Sequence, residues 1–264
     1  MPPAKKRTRS YDSARTRAAV LAQFGHVREA VGALTSAQLA GPTRLGDWTV
    51  RDLAAHLAWM VDSVPLLLAE PEPAPGKDRL ALLDWPFVTA GAAGRIDTHT
   101  RGIDAADLPG LYARVAEDYG RALADAPDGR LLPVRFGPMT LGDFLVTRTV
   151  ELVVHTDDLN AATGAEIPFD RQALAACTRL LADALAAKAP GGAVEVRVPP
   201  YAVVQCVEGP RHTRGTPPNV VETDPLTWIR LAAGRTRWAA ELDAAHVRAS
   251  GERADLTDLL PLMG

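Results

Sequence analysis

Residues 140–162 read as an amphipathic helix, yet they place ionisable groups where the apolar face should be. With about 100° per residue and Leu141 at zero, Phe144, Leu145, Leu152 and Leu159 fall within about 60° of it. Glu151 lies about 80° and His155 about 40° to one side, on or beside that stripe. Four residues apart, they stack one turn above the other. A carboxylate facing a core is costly unless it is paired or ligates a metal. Two arrangements would satisfy it. Arg148, three residues earlier on the same face, can form a buried pair with Glu151 beside a hydrogen-bonded His155. Alternatively, both side chains ligate an ion, and a second helical stretch then offers another ligand. His56 sits at the edge of the Leu53, Leu57, Met60 and Leu67 stripe. Alone it reads more readily as a satisfied, partly buried histidine. Together, His56, Glu151 and His155 form the ligand set of an open catalytic zinc site, with a fourth position for water or substrate. Other first-row metals suit the same donors.

The elements that must position these groups are legible in the apolar spacing. Helices are predicted over about 12–34, 49–70, 108–126 and 140–162, with Gly164 as a C-terminal stop and Thr140 and Asp143 at capping-box-like spacing. Pro65 is a possible kink in the second. Pro71-Glu-Pro-Ala-Pro-Gly76 reads as an exposed loop. Four long amphipathic helices imply a four-helix bundle. After Gly164 the pattern changes to a helix over 171–189 and strands over 194–198 and 201–207. A Pro/Gly-rich loop over 209–218 leads to a third strand at 219–222. A helix capped by Asp224, another near 236–245, a strand at 246–249 and a final helix near 253–260 follow. The fold class is therefore two-domain α+β, with a tail over 1–11, a metal-binding helical bundle over 12–166 and a small α+β domain over 167–264.

The 264 residues suit two ordinary domains, and 47 % hydrophobic with 23 % charged residues describes a soluble globular chain. The net charge of −3 argues against a general nucleic-acid-binding role. No membrane span is expected. The basic start, Met1-Pro-Pro-Ala-Lys-Lys-Arg-Thr-Arg-Ser10, lacks a following apolar stretch and reads as a solvated tail rather than a secretory signal. Cys177 and Cys206 imply neither a disulfide framework nor a zinc ribbon and suit a reducing cytoplasm as buried thiols. His26 is a remote candidate for a fourth ligand. His99, His212 and His246 read as solvated positions in loops or at strand edges, and Trp48 as a packing residue. Asp158, one turn after His155, could accept an imidazole N–H and fix its tautomer, or serve in an ion pair. No phosphate-cradling Gly-rich loop or dinucleotide fingerprint is present.

Asp47-Trp-Thr-Val-Arg-Asp-Leu-Ala-Ala-His56-Leu and Thr149-Val-Glu151-Leu-Val-Val-His155-Thr-Asp-Asp158-Leu resemble the mycothiol-dependent maleylpyruvate isomerase family, one of the DinB-like metal-binding bundles. The resemblance covers roughly 12–164 and implies that His56, Glu151 and His155 are the ligands of a divalent metal, zinc being the expected one. The second half resembles the bacterial sterol-carrier-like domain. The motifs are Gly209-Pro-Arg-His-Thr-Arg-Gly-Thr-Pro-Pro-Asn219, Asp224-Pro-Leu-Thr-Trp228 and Ala249-Ser-Gly-Glu-Arg-Ala-Asp-Leu256. In this family such a domain can close over the bundle site and contribute a basic residue, for which Arg211 and Arg214 are the candidates; surface arginines on a flexible loop are the alternative.

The resemblance implies a cytoplasmic isomerase or S-transferase with mycothiol as thiol cosubstrate. A coordinated thiol ionises at neutral pH and would add to a small electrophile whose carboxylate Arg214 could hold. The alternative is a carrier of a lipid or other apolar molecule, with the metal site structural or vestigial. An apolar tunnel among Val203, Val220, Trp228 and Leu231 would mark the carrier; a cleft at the metal ligands facing the 209–218 loop would mark the enzyme.

Overall fold

The computed structural model describes residues 9–74, 78–209 and 217–263. The helices of the first part are α1 (Ser13–Ala33), α2 (Ser36–Leu39), α3 (Val50–Ala69), α4 (Trp85–Val88), α5 (Ala93–Arg101), α6 (Leu108–Leu123) and α7 (Leu141–Thr163). Of these, α1, α3, α6 and α7 pack side by side as the bundle. Each long helix begins where the sequence can satisfy its free amides. Asp12 caps α1 and Asp107 caps α6. Thr49 and Asp52 form a reciprocal capping box on α3, and Thr140 accepts from the Asp143 amide on α7. Gly164, in the left-handed conformation at φ 70°, ends α7 as expected. Pro65 lies in the last turns of α3, which continues to Ala69.

Contrary to the expectation of no apolar span, α3 reaches the length and mean hydropathy (1.3) of one. It is the bundle's inner helix, with Val50, Leu53, Leu57, Val61 and Val64 fully buried against α1, α6 and α7. Its apolar character follows from contact on several sides. Two short strands, β1 (Leu131–Leu132) and β2 (Met139–Thr140), pair antiparallel at the approach to α7.

The second part opens with α8 (Arg171–Lys188), which packs on both α1 and α7. The strands β3 (Val194–Val198), β4 (Ala202–Cys206), β5 (Val220–Thr223) and β6 (Val247–Ser250) form one sheet in the order β4-β3-β5-β6. The β3–β5 pair is parallel and the other two are antiparallel. On β3, Val194, Val196 and Val198 face inward while Glu195 and Arg197 pair with each other on the other face, the alternation of a sheet with one covered side. Helices α9 (Pro225–Ala232) and α10 (Trp238–Asp243) complete this part, with α9 lying on α8. The final helix expected near 253–260 is only a single 3-10 turn at Thr257–Leu259. The sequence there supplies one apolar cluster and Pro261, too little to propagate a helix. Helices α4 and α5 fall in a stretch for which the apolar spacing predicts no element: Ala93–Arg101 carries Arg95, Asp97, His99 and Arg101 around Ile96.

The segment joining the two parts is fastened by Gln23 of α1, which is fully buried. Its amide nitrogen donates to Thr156 Oγ1 (3.0 Å) and to the Pro168 carbonyl (3.2 Å), and its oxygen accepts from the Asp170 amide (2.7 Å). Replacing it with an apolar residue orphans buried partners on α7 and on the connecting segment. Gln23→Leu is expected to lower stability by about 2–4 kcal/mol in urea unfolding; a change below about 0.5 kcal/mol would show that this fastening contributes nothing.

Candidate metal centre

His56, Glu151 and His155 converge inside the bundle, their ligand atoms all within 4.8 Å of one another. His56 comes from α3 and the other two from α7. His155 Nε2 is 3.3 Å and His56 Nε2 3.9 Å from the same carboxylate oxygen, Glu151 Oε2. The opposite ring nitrogens are anchored elsewhere. His155 Nδ1 donates to Asp158 Oδ2 at 2.8 Å, and His56 Nδ1 lies 3.4 Å from the buried Thr100 hydroxyl on α5. This is the donor set a divalent ion requires. Nε2 of each ring and one carboxylate oxygen face a common point, Nδ1 is held by an outer partner, and the spacings approach the ~3.3 Å edge of a tetrahedron with ~2.0 Å bonds.

Arg148 supports Glu151 differently from a direct pair. Its buried guanidinium lies 4.4 Å over the Phe144 ring and donates to Met60 Sδ (2.9 Å) and Thr147 Oγ1. It stands 4.0 Å from Glu151 Oε1. It therefore biases one carboxylate oxygen and leaves Oε2 to the histidines. Burial lowers the arginine's pKa while Glu151 opposes that. Burial also opposes ionisation of Glu151, but hydrogen bonds from His155 and His56, with Arg148 nearby, hold its pKa well below the usual carboxylate range.

The two histidines diverge. Burial pulls His56 down to about 4 despite its contact with Glu151. Burial opposes charge on His155 too, but the hydrogen bonds to Asp158 and Glu151 outweigh it and raise the pKa to about 9. One proton therefore resides on His155, the ring with an anion at each nitrogen.

Asp158 is fully buried, and burial alone would raise its pKa; the His155 and Arg235 hydrogen bonds reverse this and hold it far below the ordinary value. Arg235, just beyond α9, donates to Oδ1 from Nε (2.9 Å) and to Oδ2 from Nη2 (3.1 Å). Arg44, in the loop before α3, donates to Asp158 Oδ1 and to Asp157 Oδ2. Arg230 of α9 makes a bidentate pair with Asp157. Two adjacent aspartates of α7 thus hold arginines from both parts of the chain, and the second of them also fixes a ligand histidine.

A cavity of about 480 Å³ opens over the three ligands. Trp48 is buried on its wall, its ring centroid 5.1 Å from that of His56 and its indole N–H donating to Asp97 Oδ1 (2.7 Å). It is a packing residue that also lines the site. Arg235 and Met263 bring the C-terminal part to the same cavity. Arg211, Arg214 and His212 lie outside the described residues. Sequence reasoning missed Arg235, Arg44, Asp157 and Thr100; only the unpaired charge of the first three could have signalled them. His99 lies on α5, not in a loop, its ring tilted 38° against Trp59 with centroids 4.1 Å apart. His26 bonds the Pro168 carbonyl, and His246 pairs with Glu241. The residues named for a carrier tunnel diverge: Val203 is 59 % exposed, whereas Trp228 and Leu231 are packed in the core.

The fold and site define a helical bundle with an internal two-histidine, one-carboxylate centre, bordered by a small α+β domain. The chain belongs to the family described as the mycothiol maleylpyruvate isomerase N-terminal domain, which matches residues 20–160. Residues 170–262 match the domain described as bacterial SCP ortholog. The crystal structure of a mycothiol-dependent maleylpyruvate isomerase aligns with a TM-score of 0.59 and 16 % identity over 91 % of this chain and 93 % of that one. A histidine-to-alanine mutant of such an isomerase aligns with a TM-score of 0.60 and 15 % identity over the same shares. At these identities the likeness is one of fold. No curated protein matches by sequence.

Two outcomes are expected from this geometry. First, zinc must displace the His155 proton. Because that pKa is raised, the His155 contacts stabilise chelated protein fully below about 6.5 and cease to do so as pH rises through about 9. Zinc binding at pH 7 should then release about one proton, read by calorimetry in buffers of different ionisation heat; no release would place the proton elsewhere. Second, Arg235→Ala should weaken zinc about 10–100-fold through Asp158, whereas Arg230→Ala, acting on Asp157, should leave zinc affinity near that of the parent. Equal affinities in all three proteins would remove Arg235 from the support of His155.

Proposed function

We propose that the chain is a zinc-dependent, mycothiol-dependent isomerase or S-transferase acting on a small electrophile in a reducing cytoplasm. The observation that carries the reading is the convergence of His56 Nε2, His155 Nε2 and Glu151 Oε2 on one point at the floor of an accessible cavity. Family membership and the shared fold support it.

His56, Glu151 and His155 would hold the ion, which when bound supplies a Lewis-acid position that lowers the pKa of a coordinated thiol. The surrounding residues keep this position rigid. Asp158 and Thr100 fix the ring planes, and Arg148 holds the carboxylate from behind. Trp48, Leu45 and Val154 shield one side from water, which strengthens the electrostatics within. A thiolate sulfur in this cavity would add to the electrophilic carbon of the second substrate. The addition moves the π pair onto the carbonyl as an enolate; rotation about the former double bond and expulsion of the thiolate gives cis–trans isomerisation, while protonation of the α carbon from water with the C–S bond retained gives S-transfer. Arg235 is the described cation on the wall. Arg211 and Arg214 remain candidates from the neighbouring loop.

The test is metal content by mass spectrometry, followed by assay of maleylpyruvate and simple cis-enones with mycothiol. About one zinc per folded chain is expected, lost in Glu151→Ala and His155→Ala together with at least about a hundredfold of any thiol-dependent turnover. Failure of the parent protein to retain zinc, even after zinc is added back, would overturn the reading.

A further inference from the structure

A second recess, of about 190 Å³, is lined by residues from the start of α1 and the first half of α8, and shares none of them with the cavity over the metal centre. Arg9, just before α1, Arg15, in its first turn, and Arg179 of α8 all line it, against one carboxylate, Asp12. The three cations are not equally committed. Arg9 is held by Asp183, with Nε donating at 2.8 Å and Nη2 at 3.4 Å. Arg179 gives only Nε, to the uncharged Tyr201 carbonyl at 3.1 Å. The Arg15 guanidinium has no ion pair or hydrogen bond among the described residues. Asp12 is occupied as the cap of α1, accepting from the Arg15 amide at 2.8 Å. Residues 1–8, outside the described residues, supply no counter-charge: they include Lys5, Lys6 and Arg7 and no acidic side chain.

Tyr11 adds an independent observation. Its ring packs on the core and lines the recess, yet its buried hydroxyl is one of two buried side-chain polar atoms without a hydrogen-bond partner among the described residues. Burial raises its pKa, and Asp183 adds to this, against the pull of Arg9 and Arg179. The phenol is therefore a proton donor at neutral pH. Buried polar groups are nearly always satisfied in native proteins, and an exception calls for a partner.

We propose that this recess binds a phosphate monoester group, clamped by Arg15 and Arg179 with Tyr11 donating to one of its oxygens. Such a group carries a charge of about −1.5 to −2 at pH 7 and three acceptor oxygens. That matches two uncommitted guanidiniums and one hydroxyl, where a carboxylate would bring a single charge. Guanidinium forks fit phosphate oxygens in paired hydrogen bonds. The volume is several times the roughly 30 Å³ share of one water, enough for a phosphate with a short substituent. Bound there, the group ties the start of α1 to α8. Soluble esters and lipid head groups both present this chemistry, and the test separates them.

The experiment is calorimetric titration of the full-length protein, as purified, with glycerol 3-phosphate at low ionic strength. One saturable site is expected, weakened at least about tenfold in Arg15→Gln, whose side chain is exposed. Tyr11→Phe keeps the ring and removes the hydroxyl. Affinity should fall about three- to tenfold, while the thermal midpoint without phosphate holds or rises because an unpaired buried polar atom is gone. A lower midpoint with unchanged affinity would make Tyr11 structural and overturn the proposal. Acetate at equal ionic strength should bind at least about tenfold more weakly; equal binding would overturn the assignment to phosphate. Phosphatidylcholine vesicles with and without phosphatidic acid report the source. Capture that needs phosphatidic acid and is lost in Arg15→Gln, without binding of glycerol 3-phosphate, would make the group a lipid head. No binding of either probe, or binding that neither variant weakens, would overturn the proposal.

Discussion

A carboxylate inside a helical bundle is the constraint around which this molecule is arranged. Glu151 is held ionised with only 13 % of its side chain exposed, a position where a solitary anion would cost several kcal/mol. Three cationic or protonatable groups answer it, each from a defined direction: His56 across the helix pair, His155 one turn along, and Arg148 one turn back. Since α3 must approach α7 closely enough to bring His56 within reach, the inner position of α3 and its almost unbroken apolar surface follow. The hydropathy that makes α3 resemble a membrane span is thus a consequence of the site's depth.

The second layer of support is what distinguishes a two-part chain from a lone bundle. Asp158 accepts from His155, Arg44 and Arg235 at once, and Asp157 from Arg44 and Arg230. Removing one arginine leaves the buried carboxylate it serves short of a partner, Asp158 for Arg235 and Asp157 for Arg230. The C-terminal part is therefore more than a covering for the bundle: through Arg235 it shares a carboxylate with a ligand histidine and also borders the cavity. The sheet does not itself reach the ligands. It places α9, and α9 with the turn after it delivers Arg230 and Arg235.

Much of this was legible in the sequence because it rests on periodicity. The helices α1, α3, α6, α7 and α8 appear within a few residues of their apolar patterns, and β3 to β5 follow their alternation. His56, Glu151 and His155 stood out because polar groups on an apolar stripe need partners. What escaped reading lacks such contrast. Helix α5 carries charges on several faces around Ile96, and its contacts to the site, Asp97 with Trp48, Thr100 with His56 and His99 with Trp59, come from the fold rather than from a pattern. Arg44 and Arg235 look like any loop arginine until the fold brings them to Asp158. Thr100 is an ordinary helical threonine until His56 needs a neighbour.

The arrangement of α7 explains why so few residues suffice. Arg148, Glu151, His155 and Asp158 recur at intervals of three and four, which keeps them on one side of the helix over nearly three turns. Along that line the groups alternate in charge preference: guanidinium, carboxylate, imidazole, carboxylate. Each is neutralised by its neighbours on the same helix, and only two positions need help from outside, His56 at the centre and the arginines at the C-terminal end. Those arginines collect on Asp157 and Asp158, in the C-terminal half of α7. The last turns of α7 are thereby where arginines of the second part meet the bundle, one of them on a carboxylate one turn from a ligand.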